Sequence, residues 1–262
     1  MPRITDVAKN LLIINVMFFL ASLIFGDAQM NQLMALHYFG SEYFMPLQLA
    51  THFFMHGGFA HIFFNMFALV MFGSALETMW GPKKFLFFYF ACAIGAAVLH
   101  IGFTAWEIGK MQELAALFDA SPSASTMRDF LAFARLDNIP ENQDMLASLR
   151  KGIPQDQAAE LSLAIDGIIK SKMDIPMVGA SGAIYGLLLG FGMLFPNAEL
   201  MLLFFPVPIK AKYFIPGLMV IELYLGMNQY SWDNIAHFAH LGGALTGFLI
   251  ILYWRKFGSP SL

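Results

Sequence analysis

The 262-residue chain is 58% hydrophobic and 13% charged, with 28 Phe and 18 Met, which excludes an ordinary soluble globular domain and points to a membrane protein. Its formal net charge of −3 says little, because in a membrane protein the placement of Lys and Arg outweighs their sum. The single Cys92 excludes an intrachain disulfide and argues against a thiol-ligated metal site.

Along the chain, apolar runs of about bilayer-crossing length follow one another at residues 10–25, 59–76, 85–103, 178–195, 213–227 and 235–254. The first run imitates a signal peptide, but no small-x-small cleavage site follows Ala28 and Gln29, so it reads as a helix. Residues 104–174, rich in Gln, Asp, Glu, Lys, Ser and Pro, form an extramembrane insert, giving a membrane domain of residues 1–103 and 175–262. Within the insert, Met127, Phe130, Leu131 and Ala134, then Leu161, Ala164, Ile165 and Ile168, predict short amphipathic helices, with breaks at Ser121-Pro122 and Ile139-Pro140. The apolar run 200–205 stops too early at Pro206 and Pro208 to cross a bilayer and reads as a cytoplasmic or interfacial turn.

Charge placement orients these spans. Arg3 and Lys9, Lys83 and Lys84, Lys210 and Lys212, and Arg255 and Lys256 fall on one side, whereas the loops 26–50 and 228–234 hold no Lys or Arg. Cationic loops stay cytoplasmic, so both termini are expected inside a cell (inner) membrane and the two uncharged loops outside.

Polar side chains inside apolar runs face a protein interior or a watery cavity, and mark function or helix contacts. His52, His56, His61 and Asn65 cluster around the second span, Gly179-Ala180-Ser181-Gly182 opens the fourth, and His237 and His240 lie in the sixth, all toward the expected outer side. A serine at a helix N-terminus has backbone N–H groups beside it that can stabilise an oxyanion. Gly182, Gly186 and Gly190, and Ala239, Gly243 and Gly247, form two small-residue ridges that let the fourth and sixth helices approach closely and bring Ser181 to His240. Imidazole titrates near neutrality and can activate the serine, which makes His240 the candidate base. No Asp or Glu occupies the membrane part of the sixth helix, so the base is expected to be oriented without a carboxylate, with Tyr185 available one turn below Ser181. His61 and Asn65, four apart, share a helix face and suit oxyanion donation. A zinc site on the histidine-rich stretch is disfavoured, because H-E-x-x-H is absent.

The residues H-x-x-x-N at His61 to Asn65, G-x-S-G at Gly179 to Gly182 and A-H-L-G-G-x-x-x-G at Ala239 to Gly247 resemble the rhomboid family of intramembrane serine proteases. The resemblance implies an all-α membrane protein, a bundle of six transmembrane helices, with Ser181 as nucleophile and His240 as base. It further implies oxyanion donors at His61, Asn65 and the Ser181 backbone, Tyr185 stacked on the catalytic histidine, a structural or water-binding His56 at the outer start of the second helix, and a supporting role for the motif glycine Gly179. Neither metal nor cofactor is expected. The expected partners are transmembrane protein substrates and the lipid bilayer, not nucleic acid. Two departures stand out: the Trp-Arg pair common in the first outer loop is absent near Pro46-Leu47-Gln48, and the insert is long. The rival readings are a catalytically inactive rhomboid-like protein that binds transmembrane clients and a transporter, the latter disfavoured because no paired broken helices occur in two halves.

Overall fold

The computed structural model describes residues 4–202, 205–228, 233 and 235–257; most of the 228–234 loop, and positions 203–204 of the 200–205 run, lie outside them. The chain divides into two compact units, one formed by the residues up to Leu36, Met45–Ile101 and the residues from Pro176 onward, the other by His37–Phe44 and Gly102–Ile175.

In the first unit, α1 (Asp6–Phe25) and the short α2 (Asp27–Met34) meet at Gly26, whose φ of 95° ends the first helix. The helix α3 (Gln48–Thr51) precedes α4 (Phe59–Trp80), which a π-helical turn at Leu69–Gly73 interrupts. Gly81, at φ 77°, stops α4, and Pro82 opens α5 (Pro82–Ala120), a position where the missing proline N–H costs no hydrogen bond.

Four helices among the described residues, α1, α4, α5 and the last helix His237–Phe257, are long and apolar enough to cross a bilayer, and the protein is a multi-pass, all-α membrane bundle. Leu69, Leu76, Phe85, Phe88 and Leu187 are fully buried and centre its apolar core.

The second unit holds the part of α5 from Gly102 onward, with α6 (Ala124–Phe133), α7 (Pro140–Ser148) and α8 (Gln155–Met173). The third apolar run therefore does not end its helix at Phe103: good helix formers such as Glu107, Met111, Leu114 and Ala116 carry it on to Ala120 after the membrane-type composition has ceased. The breaks at Ser121-Pro122 and Ile139-Pro140 fall between helices. Ser123 caps α6 by accepting from the Thr126 N–H at 3.2 Å, and Pro140 is the first residue of α7. Ile108, Met111, Phe118, Met127, Phe130 and Ile165 form this unit's own core. Ser41 ties the 37–44 segment to it by donating to Asp174 Oδ1 at 2.6 Å.

Back in the first unit, α9 (Ser181–Leu194) leads into an antiparallel hairpin of β1 (Glu199–Leu202) and β2 (Phe205–Lys210), then α10 (Ala211–Asn228) and α11 (His237–Phe257). The described residues of the 200–205 run, 200–202 and 205, are thus strand rather than turn. Pro206 and Pro208 are tolerated because every strand of a two-stranded sheet is an edge.

The first helix has no cap of its own. Glu77 of α4, 6% exposed, supplies one, accepting from the Val7 and Ala8 N–H groups at 3.1 and 2.9 Å and from the Thr5 hydroxyl at 2.5 Å.

Candidate active site

The segment before Ser181 is held from two sides. Leu36 and Met177 exchange backbone hydrogen bonds at 2.9 and 2.8 Å, and the Gly179 N–H donates to the His52 carbonyl at 3.0 Å. Gly179 sits at φ 117°, where L side chains are strained, and a Cβ there would lie 2.7 Å from His61 Nε2 and 3.5 Å from Ser181 Oγ. Glycine is required at this point on both counts, and the same distances show that His61 and Ser181 converge on it.

Ser181 is the first residue of α9, so the backbone N–H groups around it lack intrahelical acceptors. The ridges do bring α9 and α11 together at backbone distance. A Cβ on Gly186 would lie 3.1 Å from the Gly243 carbonyl, one on Gly247 3.2 Å from the Gly186 carbonyl, and one on Gly243 would overlap the Gly182 carbonyl. Gly190 behaves differently, since its space is taken by Phe88, Trp80 and Ile251 side chains. A third surface of small residues, Cys92 and Ala96 on α5, closes against Gly186 and Gly182.

This approach sets Ser181 Oγ 2.9 Å from His240 Nε2. Tyr185 stacks on the imidazole with ring centroids 4.0 Å apart and planes 8° from parallel. The expectation of a base without a carboxylate partner is corrected by the structure. Glu222 of α10, 5% exposed, accepts from His240 Nδ1 at 2.9 Å and from His237 Nδ1 at 2.6 Å through Oε2, while its Oε1 accepts the Tyr185 hydroxyl. His237 also reaches Asp233 Oδ2 through Nε2 at 2.9 Å. The acid arrives not from the base's own helix but from the neighbouring one. The available signal was a lone Glu inside the apolar run 213–227, because an ionisable residue at membrane depth is functional by default.

On α4, the Gly57 N–H donates to His61 Nδ1 at 3.4 Å, an assignment that leaves the proton of His61 on Nε2, facing Gly179. Asn65 is 5% exposed and its Nδ2 has no hydrogen-bond partner among the described residues. His56 packs edge-on to His61 at 5.0 Å; its Nδ1 donates to the Phe54 carbonyl at 3.2 Å, and its buried Nε2 has no partner among the described residues. His52 donates from Nδ1 to the Gln48 carbonyl at 2.7 Å. Burial pulls both His52 and His56 from the ordinary imidazole value down to about 4, so both are neutral near pH 7. A cleft with about 10 Å³ of free space, enough for about one water, lies against Ser181 between Gly179, Ala96 and Ala239.

Glu222, His237 and His240 also place one potential ligand atom each within 4.8 Å of one another, a spacing open to a metal ion. Each histidine already donates from Nδ1 to the same carboxylate oxygen, so a cation there would have to displace both protons.

Fold and site together define a polytopic membrane protein with a serine–imidazole pair set between two close-packed helices. Its sequence matches the Rhomboid domain over residues 43–121 and 158–257. The chain belongs to the rhomboid family. It is 28% identical over 203 residues to Rhomboid protein 1, mitochondrial, of Saccharomyces cerevisiae, covering 78% of this chain and 40% of that protein. It is 23% identical over 209 residues to Rhomboid-like protein 16, chloroplastic, of Arabidopsis thaliana, covering 79% and 48%. With an uncharacterized mitochondrial rhomboid protein of Schizosaccharomyces pombe it shares 27% over 224 residues, covering 79% and 51%. The chain therefore spans about half or less of the length of these curated relatives.

Proposed function

We propose that the protein is an intramembrane serine endopeptidase that cleaves transmembrane segments of other membrane proteins near the outer face, with both termini cytoplasmic and six helices crossing the membrane. The observation that carries this reading is the 2.9 Å contact between Ser181 Oγ and His240 Nε2. A peptide group inside a helix is already hydrogen-bonded, so a substrate must unwind locally before Ser181 can reach its carbonyl, and residues of weak helix propensity favour that step. His240 Nε2 takes the Ser181 proton as Oγ bonds to the carbonyl carbon, then returns it to the leaving amine, giving an acyl-enzyme. The oxyanion meets the Ser181 N–H, His61 Nε2–H and the unpartnered amide of Asn65. Water then hydrolyses the ester; His56 Nε2, buried and unpartnered, offers it a station on the way in.

Ser181→Ala and His240→Ala are each expected to abolish cleavage of a membrane-embedded reporter and labelling by a serine-directed fluorophosphonate. Cleavage retained by either variant refutes the assignment, and a native chain that neither cleaves nor labels returns the case to an inactive, client-binding rhomboid.

A further inference from the structure

The environment of His240 is fixed on three sides: Tyr185 covers one face, Ser181 meets Nε2, and Glu222 meets Nδ1. We propose that Glu222 is a positioning residue for the hydrolysis, making the site a Ser181–His240–Glu222 triad whose carboxylate comes from α10. The proposal rests on the hydrolytic reading above.

The geometry decides which nitrogen holds the proton. An ionised carboxylate only accepts, so the 2.9 Å contact requires a proton on His240 Nδ1 and leaves the Nε2 lone pair facing the Ser181 hydroxyl. When that hydroxyl proton moves to Nε2, the ring becomes an imidazolium whose charge lies against Glu222, which stays ionised throughout. Tyr185 joins the same arrangement, because the ring that stacks on His240 sends its hydroxyl to Glu222 Oε1. Its stacking angle and the carboxylate's position are thereby coupled.

A bare carboxylate among apolar helices is costly unless it is paired. His237 supplies the pairing. Both of its ring nitrogens face carboxylate oxygens, Glu222 Oε2 at 2.6 Å and Asp233 Oδ2 at 2.9 Å. The His237 ring thus holds Glu222 Oε2 in place by a hydrogen bond, while Asp233 anchors the far side of that ring. This division of labour gives the second histidine a role that the glycine pattern around His240 does not.

The test uses the full chain in proteoliposomes with a transmembrane reporter, rates being expressed per folded protein from thermal unfolding. Glu222→Gln preserves shape but removes the charge. A purely structural residue would tolerate it, whereas a positioning carboxylate would not: either the amide N–H₂ faces Nδ1 and imposes the wrong tautomer, or its oxygen does and the imidazolium goes unbalanced. The expected result is a kcat lower by about 10²- to 10⁴-fold with KM within about threefold of native, and partial recovery in Glu222→Asp, which keeps the carboxylate. A Glu222→Gln kcat within about threefold of native overturns the proposal. Should that variant not fold, Glu222→Asp carries the test alone: its carboxylate, one methylene short, lowers kcat about tenfold or more at unchanged KM, and an unchanged kcat overturns the proposal. Ser181→Ala and His240→Ala run alongside. Activity in those two would refute hydrolysis itself, whereas their silence beside a fully active Glu222→Gln would remove only the triad.

Discussion

A single methyl group added between α9 and α11 should silence the site without touching it. In Gly243→Ala the new Cβ would overlap the Gly182 carbonyl oxygen, lying 2.6 Å from the carbonyl carbon and 3.1 Å from Cα of Gly182. Both neighbours are backbone, so no rotamer change relieves the overlap, and the helices must part by about 1 Å or more to restore ordinary van der Waals separation. Ser181 immediately precedes Gly182, and His240 lies three residues before Gly243. A parting of that size stretches their 2.9 Å contact to about 4 Å, beyond hydrogen-bond reach. Misplacement by about 1 Å costs roughly 10²-fold in rate, and overpacking costs about 1–3 kcal/mol of stability. The assay is reporter cleavage together with thermal unfolding in the same detergent. Gly217→Ala on α10 is the control, because its Cβ meets nothing within 4 Å. Activity of Gly243→Ala within about threefold of native would refute the claim that backbone contact between the two helices sets the serine–imidazole distance.

Asn65→Ala should lower kcat by about 10²- to 10³-fold with little change in KM, as measured in the reporter assay, because it removes a proposed oxyanion donor. Since Asn65 Nδ2 has no partner among the described residues, stability should fall by no more than about 1 kcal/mol. Acid should loosen the fold through His52 and His56. With folded values near 4 against about 6.5 when unfolded, the unfolded chain binds more protons between those limits, so stability falls as pH drops from about 6.5 to 4, by up to ~3 kcal/mol per ring. Thermal midpoints measured across that window check the slope, and His56→Gln should flatten it. Glu77→Ala leaves the α1 amides and the Thr5 hydroxyl without their acceptor, and should cost about 1–3 kcal/mol by denaturant unfolding.

Much of this arrangement is legible from residue types, because the bilayer forces the chain to declare itself. Each of the six apolar runs lies on a helix of the structure, and Ser123 and Pro140 open helices where the proline-marked breaks in the insert ended. Small-residue spacing pointed to the α9–α11 contact because only Gly and Ala permit it. Three features were hidden for separable reasons. The extent of α5 beyond Phe103 depends on helix propensity, which hydropathy does not see. The hairpin Glu199–Lys210 depends on pairing between two segments, neither of which announces a strand, and both prolines argued against one. Glu222 depends on tertiary approach: it is 15 residues from His237 and 18 from His240 in the chain, and no spacing rule links it to them. The π-turn at Leu69–Gly73 has no counterpart in residue type at all.

The cap on α1 has a consequence for the order of events during synthesis. The first helix leaves the ribosome with its leading amides open, and the carboxylate that receives the Val7 N–H lies 70 residues further along. Until α4 is complete, those amides can be satisfied only by water or lipid headgroups, so the end of α1 stays frayed however firmly its apolar middle is inserted. Protection of the Val7 and Ala8 amides from hydrogen exchange therefore reports a specific moment: the arrival of Glu77, when the first two membrane helices become one assembly rather than two inserted rods.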